Sequence, residues 1–292
     1  MVARLPMPHP DAQTAFDGQI AVTQEAIWVA DARGSYLVRV DVATNQITDV
    51  PIDPSVLAAG DAGLWMISPF DVAPQPLTVS LSQVDLTTGR PRLMATIPSA
   101  GRLAVGLGGV WVADGELRLL DVTTRKVLRH FAYDGVGIQV ACGALWSWTT
   151  ATDEQHPWLL QQLDPSDGRV VVQVSLPALD RLKLDEIDGL CWTTNGAALL
   201  GIQPGQGLAL TTTTASAVQI AGTTVWGWTP DGLVQRIDPR TGHAAGPTWR
   251  LPAQDLRTNA KGAPDWRLLS AGGSLWLLAG DEIVRYEVPT GE

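Results

Sequence analysis

The sequence is poor in the residues that most often carry catalysis or hold metals. Its 292 residues include four histidines and two cysteines. It has no glycine-rich nucleotide loop, no GxSxG nucleophile motif, no HExxH zinc motif and no CxxC pair. The protein classes that those motifs mark are therefore not expected.

Charge is also scarce, and its sign is unfavourable for binding nucleic acid. Only 17% of the residues are charged, the net charge is −10, and the basic residues form no run. Because an acidic surface repels phosphate backbones, we do not expect nucleic acid as a partner.

Long apolar segments are absent as well. No stretch of about 18 or more apolar residues, the minimum for a membrane-spanning helix, occurs. The first ten residues, MVARLPMPHP, lack the apolar centre of a secretory signal. We therefore expect no membrane association and a cytoplasmic location for the sequence as given. A secreted protein, or a domain cut from a longer chain, is the alternative.

Tryptophan, by contrast, is abundant, and it reveals a repeat. Seven of the twelve tryptophans follow an apolar or thiol residue in the same local context, at intervals of 34 to 50 residues. A four-stranded propeller blade has about 40–45 residues. We name these seven the anchor tryptophans and expect them to pack between blades: Trp28, Trp65, Trp111, Trp146, Trp192, Trp226 and Trp276.

Each repeat continues in the same way after its anchor. An alternating strand ends at Asp, a tight turn follows, and the next strand often ends at Pro. These segments predict four strands per repeat, named a to d from the centre outwards, with the anchor on strand b. The turns between strands c and d are DVATNQ (41–46), DLTTGR (85–90), DVTTRK (121–126), DPSDGR (164–169) and DPRTGH (238–243), with QPGQG (203–207) in the fifth repeat.

The last repeat has no strand d of its own. Its strands a to c span 268–287, whereas the N-terminal VARLP matches the pattern of the d strands. We therefore expect residues 2–5 to complete the last blade and close the ring, which removes an open sheet edge. The sequence predicts an all-β fold, one seven-bladed β-propeller domain over 1–292, with blades at about 15–53, 54–98, 99–133, 134–177, 178–215, 216–252, and 260–292 plus 1–6.

Loop lengths indicate which face of the disc is functional. Because successive strands are antiparallel, the b–c and d–a connections share one face, which we name the loop face. The distance from the anchor to the end of strand c is 20 residues in the second repeat and 18 in the fourth, against 10 to 13 elsewhere. The d–a connections 178–188 and 253–266 are also long, and the leucine spacing of the first allows a short helical turn. Long loops on a rigid scaffold commonly carry function.

These insertions supply the candidate site residues. Trp148 and Trp228 stand two residues after an anchor, where they either wall the central opening or add to blade packing. Asp153, Glu154 and His156 lie in one insertion and form either an acid–imidazole cluster or a solvated loop tip. The expected ligand-binding residues are Phe70, Asp71, Trp148, Asp153, Trp158, Trp228, Arg257, Lys261 and Trp266, with Trp158 placed in a loop.

The repeat GGVWVADGELRLLD (108–121) resembles the blade of streptogramin B lyases and of the related YVTN and NHL propellers. The resemblance spans nearly the whole chain and implies the same scaffold. In the lyases, histidines and a glutamate on one face hold Mg²⁺ beside the substrate ester. The Glu-x-His spacing of that family occurs here at Glu154 and His156, so the resemblance implies these two as catalytic residues and Mg²⁺ as the ion. From the residues alone no cofactor is certain: a divalent ion, Mg²⁺ or Ca²⁺, is expected only if Asp153, Glu154 and His156 converge and further oxygens complete its shell.

Two functional hypotheses from different classes follow. In the first, the protein is a monomeric binding module whose loop face holds a small molecule, a peptide or a protein partner. The alternative is a metal-assisted lyase or hydrolase that acts at the central opening.

The two cysteines, Cys142 and Cys191, are too few for a disulfide framework. Both lie beside anchor motifs. We expect buried free thiols, and a disulfide between neighbouring blades is the alternative.

Overall fold

The chain folds into seven four-stranded antiparallel sheets, which are the blades of a propeller. The computed structural model describes residues 2–8, 20–30, 36–52, 54–69, 79–97, 101–151, 157–177, 182–195, 198–214, 217–229, 232–252, 255, 266–279 and 282–288. The predicted all-β, seven-bladed architecture is confirmed. Within these ranges no helix is long and apolar enough to cross a bilayer.

The strands follow one another from the centre of the ring to its rim, except the first, β1 (Ala3–Pro6), which belongs to blade 7. Blade 1 contains β2 (Ile20–Val22), β3 (Ala26–Ala30), β4 (Leu37–Asp41) and β5 (Ile47–Val50); blade 2 contains β6 (Val56–Gly60), β7 (Gly63–Pro69), β8 (Val79–Val84) and β9 (Pro91–Ile97); blade 3 contains β10 (Arg102–Gly106), β11 (Gly109–Ala113), β12 (Glu116–Leu120) and β13 (Val127–Ala132).

The remaining blades continue in chain order. Blade 4 contains β14 (Gly137–Ala141), β15 (Ala144–Thr150), β16 (Trp158–Leu163) and β17 (Val170–Leu176); blade 5 contains β18 (Asp185–Ile187), β19 (Leu190–Thr194), β20 (Ala198–Gln203) and β21 (Gly207–Thr213); blade 6 contains β22 (Ala217–Ala221), β23 (Thr224–Trp228), β24 (Leu233–Ile237) and β25 (Ala244–Arg250); blade 7 contains β26 (Trp266–Ala271), β27 (Ser274–Ala279) and β28 (Glu282–Glu287).

The anchor tryptophans form the core between blades, as predicted. All seven are buried, and each packs towards the blade that follows it, as Trp28 does with Leu57 and Leu64 of blade 2. The indole N–H groups of Trp111, Trp146, Trp192 and Trp276 each donate to the backbone carbonyl five residues earlier, in or beside the a–b hairpin. A satisfied donor on a buried ring makes these side chains structural.

Tight turns join strands a and b. In four blades the turn has two residues with φ between +51° and +86°, namely Leu107–Gly108, Cys142–Gly143, Asp188–Gly189 and Gly272–Gly273. Both central residues of such a turn adopt left-handed backbone, which matches the twist of the flanking strands and favours Gly at the second position.

The c–d turns are held by their first residue. The Oδ1 atom of Asp41 accepts hydrogen bonds from the backbone N–H groups of Ala43 and Thr44, and Asp85, Asp121 and Asp164 hold their turns in a similar way. The bond from the Thr44 N–H is the largest cause that lowers the pKa of Asp41 to about 2. Equivalent N–H bonds lower the pKa of Asp85 and Asp121, and the Ser166 hydroxyl is the largest cause that lowers the pKa of Asp164. Hydrogen bonds of this kind stabilise the ionised carboxylate.

The ring is closed by the N-terminal strand, as predicted. Strand β1 pairs antiparallel with β28 over four residues, Ala3 to Pro6, one residue later than the expected 2–5. Arg4 contacts Glu282 on the same blade and also Asp255, whose Oδ1 lies 2.5 Å from its Nη2. Asp255 is 1% exposed and accepts a hydrogen bond from the Tyr286 hydroxyl, so the connection between blades 6 and 7 is tied to both strands of the closure.

The expectation of free thiols was wrong, because Cys142 and Cys191 form a disulfide between blades 4 and 5. Cys191 precedes the anchor Trp192 and therefore points to the opposite side of its strand, towards blade 4. Cys142 lies in the a–b turn of blade 4, and the two Cα atoms are 5.8 Å apart, which is within the normal range for a disulfide.

Two boundaries of the insertions also differ from the prediction. Trp158 is not in a loop: it is the first residue of β16 and pairs with Thr150 and Leu176. The connection after blade 4 ends earlier than 188, because 185–187 already form the first strand of blade 5. Of the short helical turn suggested for this connection, residues 178–181 lie outside the described ranges, and 182–184 have no regular secondary structure.

Candidate functional site

The loop face is defined by the ends of the b strands and the beginnings of the a strands. In blades 2 and 4 strand b has seven residues, whereas the b strands of the other blades have five or six. The first part of each b–c insertion therefore extends the b–c hairpin on this face. The two blades that carry the insertions are separated by blade 3, whose b–c connection is a tight turn closed by Asp114 and Glu116.

Seven of the eleven residues predicted for the site lie outside the described residues: Phe70, Asp71, Asp153, Glu154, His156, Arg257 and Lys261. The remaining four lie within the described residues and are all tryptophans: Trp148, Trp158, Trp228 and Trp266. The aromatic part of the predicted site can therefore be compared with the structure.

Trp228 and Trp266 form an aromatic pair between blades 6 and 7. Their ring centroids are 5.0 Å apart and their planes are inclined by 68°, a favourable edge-to-face geometry. Trp266 is the buried first residue of β26, at 6% exposure, and not the last residue of the connection 253–266 as predicted. Trp228 ends β23 and is only partly buried. Trp266 therefore supports one edge of the pair, and the Trp228 ring is the member with free surface.

A second aromatic pair lies beside the first. Trp226 and Trp249 meet edge to face at 5.1 Å, and all four rings belong to one apolar cluster. Arg236 lies over the Trp226 ring at 5.6 Å. The buried indole N–H groups of Trp226 and Trp249 have no acceptor in the described part of the chain. Blade 6 therefore presents an unusually aromatic side to blade 7.

Trp148 and Trp158 are half-buried and pack against the core between blades 4 and 5. The Trp148 ring covers Gly137 so closely that a Cβ atom there would lie 2.2 Å from the ring carbon Cε2. Both side chains thus contribute to blade packing, which for Trp148 was the alternative to an aromatic wall, and both stay partly exposed.

A polar group that the sequence did not single out lies next to Trp148. The Tyr133 hydroxyl donates to the carbonyl of Gly137 at 2.7 Å and accepts from Ser147 at 3.3 Å. Burial is the main cause that raises the pKa of Tyr133 to about 12. A neutral phenol is therefore held at the junction of blades 3 and 4 throughout the physiological pH range.

The a strands carry a second feature that the sequence alone did not reveal. In blades 4 and 6 the residue that pairs with the anchor is glutamine, and its amide bonds both the N–H and the C=O of a leucine on the next blade. Gln139 bonds Leu184 at 2.9 and 2.7 Å, and Gln219 bonds Leu268 at 3.3 and 3.1 Å. These amides link neighbouring a strands around the central opening.

Asp185 occupies the same position in blade 5. Its Oδ1 atom accepts from Lys183 at 2.9 Å, whereas its buried Oδ2 has no partner among the described residues. Desolvation is the largest cause that raises the pKa of Asp185 above its ordinary value, and Lys183 opposes it. A carboxyl group with an unused oxygen therefore faces the inner strands of the ring.

Basic side chains lie on or just before three of the a strands, two residues nearer the loop face than the residue that pairs with the anchor. We name this position the basic level of the a strands. Arg102, Lys183 and Arg267 hold equivalent positions in blades 3, 5 and 7, because each stands two residues before the partner of its anchor. Arg102 donates to the carbonyl of Val136, and the buried Nη2 of Arg267 has no acceptor in the described ranges. The inner rim of the loop face is thus locally basic in an acidic protein.

No set of three His, Cys, Asp or Glu side chains that could hold a metal lies within the described residues. The proposed ligands Asp153, Glu154 and His156 are outside them. A magnesium or calcium ion therefore stays a prediction from the sequence.

Comparison with known proteins identifies the fold and not a family. No family model matches the sequence, and no curated protein matches it. Among solved structures, a catalytically inactive virginiamycin B lyase from Staphylococcus aureus with quinupristin aligns with a TM-score of 0.63 and 14% identity, covering 98% of this chain and 99% of that one.

Other propellers also align with this chain. The WD40 domain of Pan2 from Neurospora crassa gives a TM-score of 0.62 at 10% identity, covering 99% of this chain and 96% of that chain. BamB from Moraxella catarrhalis gives 0.51 at 17% identity, covering 94% and 83%. The chain is a seven-bladed β-propeller similar in fold to a lyase, to a WD40 domain and to BamB, and identities this low carry only the fold.

Proposed function

We propose that the protein is a binding propeller whose loop face holds a small molecule, peptide or protein segment that combines an aromatic or apolar part with an anionic group. The single observation that carries this proposal is the partly exposed Trp228 ring, fixed by Trp266, on the same face as the basic level of the a strands. Aromatic side chains provide large contact area with little loss of conformational freedom.

The electrostatics support an anionic group on the ligand. Arg267 follows Trp266 in the chain, and one of its buried guanidinium nitrogens has no acceptor among the described residues. A buried donor without a partner costs free energy, which a carboxylate or phosphate oxygen would recover. The expected Arg257 and Lys261 would add to the same charge, although both lie outside the described residues.

The lyase hypothesis has less support. It depends on Glu154 and His156, which lie outside the described residues, and on a fold that a WD40 domain shares. We therefore propose binding and treat lyase activity as the outcome that would replace it.

The test uses a small panel of aromatic anions, such as indole-3-acetate and phenyl phosphate, with neutral indole and benzyl alcohol as matched probes. We expect the anions to quench tryptophan fluorescence and to raise the melting temperature more than the neutral probes do. Trp228→Ala and Arg267→Gln should each abolish the difference, whereas Trp249→Ala, on the rim of the same blade, should leave it. Equal effects of anions and neutral probes would refute the charge requirement. Conversion of quinupristin in the presence of Mg²⁺ would favour the lyase.

We also propose an oxidising compartment as the working location, against the cytoplasmic expectation. The reason is the Cys142–Cys191 disulfide, since such bonds are rare in reducing cytosol. Thiol titration of the unfolded protein, isolated under acid quench from its native source, measures this directly. Two free thiols would return the location to the cytoplasm.

A further inference from the structure

The outer rim of blades 2, 3 and 4 differs in composition from the rest of the protein. The beginnings of its outermost strands comprise residues 90–93, 125–130 and 169–171, which we name the basic rim. These segments contain no Asp or Glu but six of the chain's 20 Lys and Arg residues. All six are exposed: Arg90, Arg92, Arg125, Lys126, Arg129 and Arg169.

The same segments expose large apolar side chains. Leu93, Val127, Leu128, Val170 and Val171 are each between 49% and 52% exposed, and they are five of the nine large apolar side chains that are exposed among the described residues. The outermost strands of blades 1 and 6 instead expose Thr48 and Asp49, and Ala244 and Ala245. Exposed apolar side chains gathered in one place commonly mark a binding surface.

The basic rim is continuous from blade to blade. Met94 and Ala95 of blade 2 pack in the same cluster as Val122 in the c–d turn of blade 3. Arg129 of blade 3 donates to the carbonyl of Pro165 in the turn of blade 4 at 2.8 Å, and Gly168 lies against the Phe131 ring. The three segments therefore form one surface.

Neighbouring acidic residues neutralise this surface only in part. Asp85, Asp121 and Asp164 stay ionised while they hold the c–d turns, and Arg169 and Arg129 contribute to lowering the pKa of Asp164. With Asp167 they place four negative charges beside the six positive ones, so the surface keeps a net positive charge. Arg169 pairs with Asp167 at 2.5 Å, but both side chains are largely exposed, so this pair is weak in water. Arg90, Arg92, Arg125 and Lys126 are exposed beside the apolar side chains.

The edges of these blades are unsuited to the addition of a further strand. In blades 2, 3 and 4 the register between strands c and d shifts by one residue, between Leu81 and Ser82, Leu119 and Leu120, and Gln162 and Leu163. Such a bulge interrupts the row of backbone groups that an added strand would need. A partner must therefore be recognised by side chains.

We propose that the basic rim is the docking surface for an extended acidic segment of another protein, with apolar side chains spaced between its carboxylates. Charge complementarity selects the sign: the surface is locally basic although the whole protein has a net charge of −10. The shape of the basic rim favours an extended chain. Three of seven blades cover about 150° of the convex outer edge of the ring, and a flat bilayer would touch such a curved surface only along one line.

The proposal is tested with a fluorescein-labelled peptide of five Asp-Glu-Leu-Gly repeats, measured by fluorescence anisotropy at low and at physiological salt. We expect binding that weakens with salt. Arg92→Glu combined with Lys126→Glu should weaken it by about tenfold or more. Arg240→Glu combined with Arg250→Glu, the same charge change on blade 6, should leave it within about twofold.

The apolar contribution has its own pair of variants. Leu128→Ser with Val171→Ser should weaken binding by about fivefold, since each removes roughly one buried aliphatic side chain from the interface. Leu208→Ser with Val2→Ser, equally exposed but outside the basic rim, should have no effect. Melting temperatures of all variants check that the ring stays folded.

Three results would overturn the proposal. The wild type could fail to bind the peptide at low salt, or the blade 6 variant could lose binding as much as the rim variant does. In the third, vesicles of phosphatidylserine and phosphatidylcholine bind the protein through Arg92 and Lys126 while the peptide does not, and the rim is then a membrane-contacting surface. None of these outcomes depends on the ligand of the loop face.

Discussion

Two places in the ring are reinforced, and they are reinforced in different ways. Blade 7 is assembled from strands at opposite ends of the sequence, and its seam is held by backbone pairing of β1 with β28 and by Arg4, Asp255 and Tyr286. The junction of blades 4 and 5 is held by the Cys142–Cys191 disulfide and by the amide of Gln139.

The difference follows from what each place lacks. In blade 7 no c–d turn joins the outermost strand, β1, to its neighbour β28. Backbone pairing and the polar contacts of Arg4 hold β1 in place instead. Blade 5 lacks the Asp-led turn that the other c–d turns share, because 203–207 reads QPGQG, and its anchor Trp192 packs on Gly201 instead of a larger side chain. The disulfide joins this blade to blade 4.

The seam is broken most directly by deleting residues 1–6. The deletion removes four residue pairs of strand pairing, the Leu5 side chain and both ion pairs of Arg4, so we expect the melting temperature to fall by about 10 °C or more. Thermal unfolding followed by circular dichroism measures it. Val2→Ser, which keeps the pairing, is the control, and a truncated protein as stable as the intact one would contradict the closure.

The junction of blades 4 and 5 is broken by Cys142→Ser with Cys191→Ser. The bond closes a loop with a sequence separation of 49, so its loss should lower the free energy of unfolding by about 3–4 kcal/mol. Reduction of the wild type should reproduce this loss in urea unfolding and should not affect the double variant. A wild type insensitive to reduction would mean that the bond does not stabilise the ring.

A single polar contact distinguishes the seam from the junction. Asp255→Asn keeps the volume but removes the charge that pairs with Arg4, and we expect a loss of about 2–3 kcal/mol because Asp255 is buried. Glu282→Gln, the half-exposed partner of the same arginine, should cost less than about 1 kcal/mol. Urea midpoints give both values. Equal losses would contradict the prediction that the buried Asp255 stabilises the seam more than Glu282 does.

Acid should affect the Asp-led turns and spare the turn of blade 5. The pKa values of Asp41, Asp85, Asp121 and Asp164 are lowered in the folded protein, so their contribution is present above the ordinary value of 3.8 and is lost as the pH falls through the lowered values, about 2 for Asp41. Asp41→Asn with Asp85→Asn should flatten this dependence, because the amide accepts the same bonds without titrating. Urea midpoints at pH 7 and pH 3 test it, and an unchanged slope would argue against these turns as the cause.

The repeat made the fold predictable. A tryptophan every 34 to 50 residues, and a d-strand pattern at the N-terminus, were sufficient to place seven blades and the closing strand. Local periodicity succeeds here because each blade repeats the same burial pattern.

The contacts between blades were much less predictable. Asp255 meets Arg4 across 251 residues and Gln139 meets Leu184 across 45, and such pairs depend on the exact position of one blade relative to another. The disulfide did have a signal in the sequence. Alternation along the strand places Cys191 on the side opposite Trp192, and the side that carries Cys191 faces blade 4. The candidate site was predicted mainly in insertions, whose sequences have no repeat to constrain them.

The seam of blade 7 also sets the order of events when the chain folds. Strand β1 is synthesised before the other 27 strands of the ring, whereas its hydrogen-bonding partner β28 is synthesised after all of them. Contacts that join such distant segments form late, because the loop between them must first become compact. Until then β28 has an unpaired edge, so the newly made protein passes through an open ring that is vulnerable to association with other open rings. The rate of this last pairing, more than the stability of any single blade, is therefore expected to determine how much of the protein reaches its closed form.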